Sequence, residues 1–181
     1  PAFLYLAKQH HDAARQPITG WFGHAEPFAF EPTYQPAAGI RRFQAGTPPI
    51  LSLVALKEGT RIAAEAPIAE VREKAKRLTA TFLALVEAEL GDQGFTLLSP
   101  RDAEHRGAQI ALAHPEAYAI TQALIARDVI PDYREPNIVR FGFAPLYLRH
   151  TDIQDAVTRL ATIMRERAYA NPAYQTRGKV T

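Results

Sequence analysis

Residues 67–91 read PIAEVREKAKRLTATFLALVEAELG and set the fold class. Proline stands at the first turn, glycine follows the last, and apolar residues recur every three or four positions, which predicts a long amphipathic helix. The recurring residues are Ile68, Val71, Ala75, Leu78, Phe82, Val86 and Leu90. We expect this helix to open a small α/β domain.

Short apolar runs after this helix predict three strands and two further helices. The strands cover residues 95–98, 108–112 and 137–143, and one helix covers residues 116–127. Thr151 is expected to cap the last helix, with Gln154 as its capping-box partner. Residues 67–181 are therefore predicted to form a small two-layer α/β domain.

The first part of the chain shows little periodicity. Residues 2–7 are an apolar run that predicts a buried strand, and residues 20–49 predict a long ordered loop with short strands. A helix is predicted over residues 50–66, after two prolines. Because the chain begins with Pro1 in place of methionine, we interpret residues 1–66 as the end of a domain that lies mostly upstream, in a longer polypeptide.

Composition excludes several classes of function. The 21 basic and 19 acidic residues are spread along the chain, so no nucleic-acid partner is expected. There is no cysteine, which excludes disulfides, a thiolate nucleophile and a thiolate metal site, and which fits the cytosol. No apolar run is long enough to cross a bilayer, so no membrane partner is expected, and no metal-ligand spacing stands out.

Two glycine-punctuated segments are the candidates for a binding site. Residues 20–24 read GWFGH, and residues 39–50 read GIRRFQAGTPPI. Glycine lets a backbone approach a ligand closely, and the indole of Trp21 and the hydroxyl of Thr47 are hydrogen-bond donors that suit a phosphate oxygen. Trp21 could equally be a core or interface aromatic, Phe22 a core residue or the wall of an aromatic pocket, and Thr47 a helix cap.

Arg140 is the candidate for binding an anionic group. Strand alternation places Val139, Phe141 and Phe143 on one face, while Arg140 and Gly142 take the other and leave space around the guanidinium. A substrate carboxylate would match its planar fork. An exposed edge-strand arginine or a structural salt bridge remains the alternative.

Four motifs, in this order, resemble the kynureninase family along nearly the whole chain. They are GWFGH, GIRRFQAGTPPI with Phe28 and Tyr34 before it, RGAQ at residues 106–109, and NIVRFGFAPLY at residues 137–147. The resemblance implies a fold type I, aspartate-aminotransferase-like enzyme that depends on pyridoxal 5'-phosphate. It also implies that residues 1–66 end the large cofactor-binding domain, and that residues 67–181 form the small C-terminal domain.

The resemblance further implies a reaction and roles for single residues. Kynureninases cleave the Cβ–Cγ bond of kynurenine or 3-hydroxykynurenine in tryptophan breakdown, as homodimers with sites shared across the interface. Trp21 and Thr47 would donate to the cofactor phosphate of the neighbouring subunit, and Gly46 would allow close approach. Phe22 would line the pocket for the aromatic ring, and Arg140 would bind the substrate α-carboxylate. No specific role follows for His24.

One expected feature of the family is missing. The lysine that holds the cofactor stands in a Tyr-Lys pair before a glycine-rich turn, and no lysine here has that context. No catalytic residue is therefore assigned, and the chain alone is expected to be inactive without its upstream half. The alternatives are another fold type I enzyme, either an aminotransferase or a desulfurase that would need a cysteine, and an α/β interaction module without a cofactor.

Overall fold

The computed structural model describes residues 3–176, so the outer ends of the predicted strand 2–7 and of the predicted domain 67–181 lie outside the described residues. The chain divides into two compact units, the first ending at Glu65 and the second beginning at Ala66. Each unit is described by itself.

The first unit is built mainly from turns and one helix. Its 3-10 turns are Lys8–His10, Trp21–Gly23 and Gly39–Phe43, and helix α1 spans Ile50–Glu65 without a buried residue. The predicted strand at residues 2–7 is wrong over its described part, where the chain is irregular and Phe3 and Tyr5 are exposed. An apolar run becomes a strand only where a neighbouring strand pairs with it, and the described part of the chain offers none there.

The second unit is a two-layer α/β domain, which confirms the predicted fold class. Its elements are α2 (Ile68–Leu90), β1 (Thr96–Leu97), β2 (Gln109–Ala113), α3 (Ala117–Ile125), β3 (Asp132–Arg134), β4 (Ile138–Gly142), α4 (His150–Glu166) and α5 (Pro172–Gln175). The strands form one antiparallel sheet in the order β1-β2-β4-β3.

The sheet buries one face and leaves the other open. Val139 and Phe141 of β4 point into the core, where the ring of Phe141 lies 4.7 Å from that of Phe82 on α2. The alternate residues are half-exposed or exposed, and we call their side of the sheet the open face. The open face comprises Gln109, Ala111, Ala113, Asp132, Arg134, Ile138, Arg140 and Gly142. The alternation predicted for residues 137–143 is thus confirmed.

Three local predictions fail for identifiable reasons. Ile68 is 80% exposed, because the first turn of α2 extends past the core. Strand β3 was not expected, since its sequence Asp-Tyr-Arg is polar on both sides of one tyrosine. Thr151 lies inside α4, whose N-cap is Arg149. The backbone N–H of Arg149 donates to the carboxylate of Asp152 at 2.7 Å.

Candidate functional site

The two glycine segments pack against each other in the first unit. A Cβ added to Gly20 would lie 1.8 Å from the backbone oxygen of Ala45, and one added to Gly23 would lie 2.7 Å from that of Arg42. Only glycine allows so close a backbone contact. These two glycines therefore serve contact between the segments, and that contact is enough to require glycine at both positions. Their approach to a ligand stays a prediction.

Gly46 differs from the other two glycines. A Cβ added there would meet no described atom within 4 Å, and its φ lies outside the left-handed region. Neither packing within residues 3–176 nor backbone conformation requires glycine at this position. The space beside Gly46 is thus free for an external group.

Thr47 is exposed, and its hydroxyl has no hydrogen-bond partner among residues 3–176. It is not the cap of α1, because that helix begins at Ile50 and its first backbone bond runs from Leu53 to Pro49. The capping alternative is therefore excluded for Thr47. Its hydroxyl remains available to a ligand.

Trp21 is 46% exposed, which excludes a place in the core of its unit. Its ring meets Phe22 edge-on at 4.4 Å and Phe28 edge-on at 5.4 Å. Within the described residues its indole N–H has no acceptor, and the ring lines an open cleft of about 480 Å³. Packing thus fixes the ring while its donor stays free.

The aromatic residues around Trp21 include one that the sequence did not single out. Phe22 is half-buried and packs edge-on against Trp21, but it is not among the residues that line the cleft. Phe30 lines the same cleft and is 85% exposed, with a φ of 54° that a bulky side chain rarely adopts. Nothing in the local sequence marks that conformation.

His24 holds the loop that carries this cleft. It is buried, its Nδ1 accepts the backbone N–H of Glu26 at 2.9 Å, and its Nε2 donates to the carbonyl of Thr33 at 3.3 Å. The hydroxyl of Tyr34 donates to the carbonyl of Gly23 at 2.9 Å. Both ring nitrogens form hydrogen bonds with backbone groups, so His24 has a structural role that its sequence context did not reveal.

Arg140 lies on the open face and is paired with Asp132 on the neighbouring strand. Its Nε donates to Oδ1 of Asp132 at 2.7 Å, and its Nη2 donates to Oδ2. The salt-bridge alternative is therefore present in the structure. It leaves part of the guanidinium free, because Nη1 has no partner among residues 3–176.

An open cleft of about 480 Å³ surrounds this ion pair and is also lined by Gln109 and Gly142. A Cβ added to Gly142 would meet no described atom within 4 Å. Hydrogen bonding from Arg140 lowers the pKa of Asp132, and the same bonds raise the pKa of Arg140. Both groups are thus charged near neutral pH, beside empty space.

Arg106, the first residue of the RGAQ motif, is buried without an acidic partner in the described part of the chain. It donates to the carbonyl of Pro100 at 3.0 Å and to the hydroxyl of Thr79 at 3.2 Å. Arg72 on α2 donates to the carbonyl of Arg106 at 2.9 Å. These two arginines fasten the loop before β2 onto α2, so this motif has a structural role.

Trp21 and Phe22 lie on one of the two packed segments of the first unit, and Gly46 and Thr47 lie on the other. Of these four residues, only Trp21 lines the cleft described above. Arg140 lies on the open face of the second unit, which is described by itself. No cluster of three or more acidic or histidine side chains within residues 3–176 could hold a metal ion. None of the described helices combines the length and the apolar character that crossing a membrane requires.

Comparisons with known proteins assign the chain to a family. Residues 71–160 match the family described as "Kynureninase C-terminal domain". All 181 residues align with the kynureninase of Burkholderia mallei strain SAVP1 at 45% identity, and cover 44% of that protein. The kynureninase of Pseudomonas fluorescens is 44% identical over 180 residues and is covered to 43%. The chain thus spans less than half the length of the kynureninases it matches.

Among solved structures, the chain resembles the apo cysteine desulfurase of Thermococcus onnurineus NA1, with a TM-score of 0.72 and 14% sequence identity. The likeness covers 90% of this chain and 42% of the desulfurase, and it shows the fold alone. The sequence matches are far closer and agree in name. The chain therefore belongs to the kynureninase family and corresponds to the C-terminal part of its members.

Proposed function

We propose that this chain is the C-terminal portion of a hydrolase that cleaves the Cβ–Cγ bond of L-kynurenine, or of 3-hydroxykynurenine, in tryptophan breakdown. Water is consumed, and the products are anthranilate, or its 3-hydroxy form, and L-alanine. The observation that carries the proposal is the 45% identity to a kynureninase over every residue of the chain. The site geometry supports it in two respects.

The donor set of the first unit fits pyridoxal 5'-phosphate. Trp21 and Thr47 each offer a donor that no described residue uses, and the space beside Gly46 is open. A phosphate oxygen is a natural acceptor for both groups. When bound, the cofactor supplies the electron sink for breaking a carbon–carbon bond, and this chain fixes its position.

The open face of the second unit fits the amino-acid end of the substrate. The free Nη1 of Arg140 can bind the α-carboxylate, and Gly142 leaves room beside it. Holding the carboxylate orients the bond to be broken, and orientation is a large part of enzymatic rate enhancement. Phe22, next to Trp21, is the residue of this chain that we assign to the aromatic ring of the substrate.

The complete site needs more than these residues. We propose a homodimer in which Trp21 and Thr47 reach the cofactor of the neighbouring subunit. The lysine that attaches the cofactor would lie in a part of the polypeptide beyond these 181 residues, in keeping with the greater length of the relatives. The chain alone would then be inactive, and the whole enzyme would work in the cytoplasm.

The test is turnover of kynurenine by the full polypeptide loaded with cofactor, followed by the fluorescence of anthranilate. Arg140→Ala is expected to raise KM about 10- to 100-fold, because a charge-assisted bond to the carboxylate is lost. Arg101→Ala is the control, since Arg101 is an exposed arginine of the same unit that pairs with Glu87 on α2 and contacts neither Arg140 nor Asp132. A KM for Arg140→Ala equal to that of the wild type would count against the assignment.

Two alternative functions make different predictions. A fold type I aminotransferase would transfer the amino group of its substrate to a keto acid, without forming anthranilate, and a desulfurase would need a cysteine that these residues do not contain. An interaction module would be a stable monomer of 181 residues without visible absorbance. The intact mass and the visible spectrum of the purified protein, measured together, separate these cases.

A further inference from the structure

The guanidinium of Arg140 is held along one edge only. Of its five N–H donors, Asp132 engages the one on Nε and one of the two on Nη2. Both N–H groups of Nη1 and the second N–H of Nη2 have no partner within residues 3–176. They form the outer edge of the fork, which is the other edge that can bind a carboxylate through two hydrogen bonds.

The residues around this free edge leave it accessible. Arg140 lies in the middle of the sheet, where it pairs with Ala111 on one neighbouring strand and with Asp132 on the other. The two open-face neighbours of Arg140 along β4 are Ile138 and Gly142. An added Cβ at Gly142 would meet no described atom within 4 Å. The cleft of about 480 Å³ includes Arg140, Asp132 and Gly142. A small anionic group therefore has room at this edge.

We propose that Asp132 is a positioning residue, which holds the side chain of Arg140 so that its outer edge faces the substrate carboxylate. This inference rests on the proposed function. A free arginine side chain samples many rotamers, and fixing it before the ligand binds reduces the entropy lost on binding. The two bonds to Asp132 fix both the plane and the direction of the fork.

Asp132 also has an opposing effect, which makes the proposal decidable. Its carboxylate is negatively charged and lies next to the place proposed for another carboxylate, so charge repulsion alone would weaken substrate binding. Removal of Asp132 would then tighten binding if repulsion dominated, and would weaken binding if positioning dominated. The two effects differ in sign.

The experiment uses the cofactor-loaded full polypeptide with Asp132→Ala and Asp132→Asn. We expect KM for kynurenine to rise about 5- to 50-fold in the alanine variant and less in the asparagine variant, which keeps one acceptor, with little change in kcat. The inhibition constant of kynuramine, which lacks the carboxylate, is expected to stay within twofold. In an Arg140→Ala background, Asp132→Ala is expected to have no further effect on KM.

Asp152→Asn is the control, because Asp152 forms a similar pair with Arg149 away from the open face. An unchanged or lowered KM in Asp132→Ala would overturn the proposal. So would an equal change for kynurenine and kynuramine, or an undiminished effect in the Arg140→Ala background.

A second measurement does not depend on turnover. Nitrogen NMR of Arg140 is expected to show separate Nη1 and Nη2 signals in the wild type and averaged signals in Asp132→Ala. Addition of L-alanine as a carboxylate probe should shift the Nη1 signal more in the wild type than in the variant. If the wild type does not cleave kynurenine but these signals behave as expected, the proposed function fails and the positioning role stands. Identical spectra in wild type and variant would end the positioning role whatever the enzyme does.

Discussion

Alanine substitutions at Gly20 and Gly46 separate a glycine required by packing from one that leaves room for a ligand. A Cβ at residue 20 would lie 1.8 Å from the carbonyl oxygen of Ala45 and 2.6 Å from its carbonyl carbon. An ordinary contact begins at 3.4 Å, so the two segments must separate by 3.4 − 1.8 = 1.6 Å. The atoms are backbone atoms, and no side-chain rotation can relieve the clash.

The expected energies differ accordingly. Overpacking costs about 1–3 kcal/mol and sometimes more, and we place Gly20→Ala at about 3 kcal/mol because backbone meets backbone. Gly46→Ala introduces no contact in the described part of the chain and should change the free energy of unfolding by less than about 0.5 kcal/mol. It should nevertheless weaken pyridoxal phosphate binding about tenfold, if a phosphate oxygen approaches that position.

Trp21 provides the assay, since it is the only tryptophan among the 181 residues and follows Gly20 directly. Urea unfolding followed by its fluorescence should show a lower midpoint and a shifted native emission for Gly20→Ala, and a wild-type curve for Gly46→Ala. Cofactor titration of the full apo polypeptide gives the second quantity. Wild-type stability and emission in Gly20→Ala would refute the packing of the two segments. Wild-type cofactor affinity in Gly46→Ala would refute its place in the site.

Three further predictions concern residues that support the two units. Arg106→Met leaves buried carbonyl and hydroxyl oxygens without a donor, and urea unfolding should show a free energy of unfolding lower by about 2–4 kcal/mol. The control Arg101→Met, at an exposed position, should change the free energy of unfolding by less than about 0.5 kcal/mol, and equal effects would contradict the structural role of Arg106. Burial lowers the pKa of His114 below the ordinary value of 6.5, so the unfolded state binds the proton first, and stability should fall as pH decreases from 6.5 towards the native pKa. His114→Gln should flatten the dependence of the free energy of unfolding on pH below pH 6.5, and a dependence as steep as in the wild type would assign the effect to other groups. His24→Ala removes two loop hydrogen bonds and should lower the midpoint of the tryptophan fluorescence transition, while His10→Ala, at an exposed position, should leave it unchanged; the reverse order would be inconsistent with the described contacts.

The regular part of the second unit could be predicted because burial there is one-sided. Helix α2 buries Leu78, Phe82 and Val86 at helical spacing, and β4 buries Val139 and Phe141 at every second position. These periods follow from backbone geometry, so they are visible in the sequence. The predicted order of helices and strands in the second unit followed from these two periods.

Other parts of the fold depend on contacts that no local pattern records. Strand β3 is a short, polar edge strand, and it forms because β4 offers a free edge. Arg149 caps α4 with help from Asp152, although arginine is not a usual cap residue. Phe3 and Tyr5 have the composition of a strand, but strand structure also requires a partner.

The candidate site also has parts that could be predicted from the sequence and parts that could not. The chemical types of Trp21, Thr47 and Arg140 suggested donors for anionic groups, and the structure leaves a donor of each without a described partner. Gly20 and Gly46 look alike in sequence, yet one touches backbone and the other faces empty space. The pairing of Arg140 with Asp132 arises from strand register, which the sequence does not reveal.

The open face of the sheet has a consequence for how the protein can change. Along β2 and β4, every second side chain is committed to the core, and the intervening ones contact little within their own unit. Random substitution at Gln109, Ala111 and Gly142 should therefore yield many folded variants, whereas substitution at Ile110 or Val139 should yield few. If the open face binds the amino-acid substrate as proposed, selectivity for that substrate can drift over evolutionary time, or be redesigned in the laboratory, without loss of the scaffold that displays it.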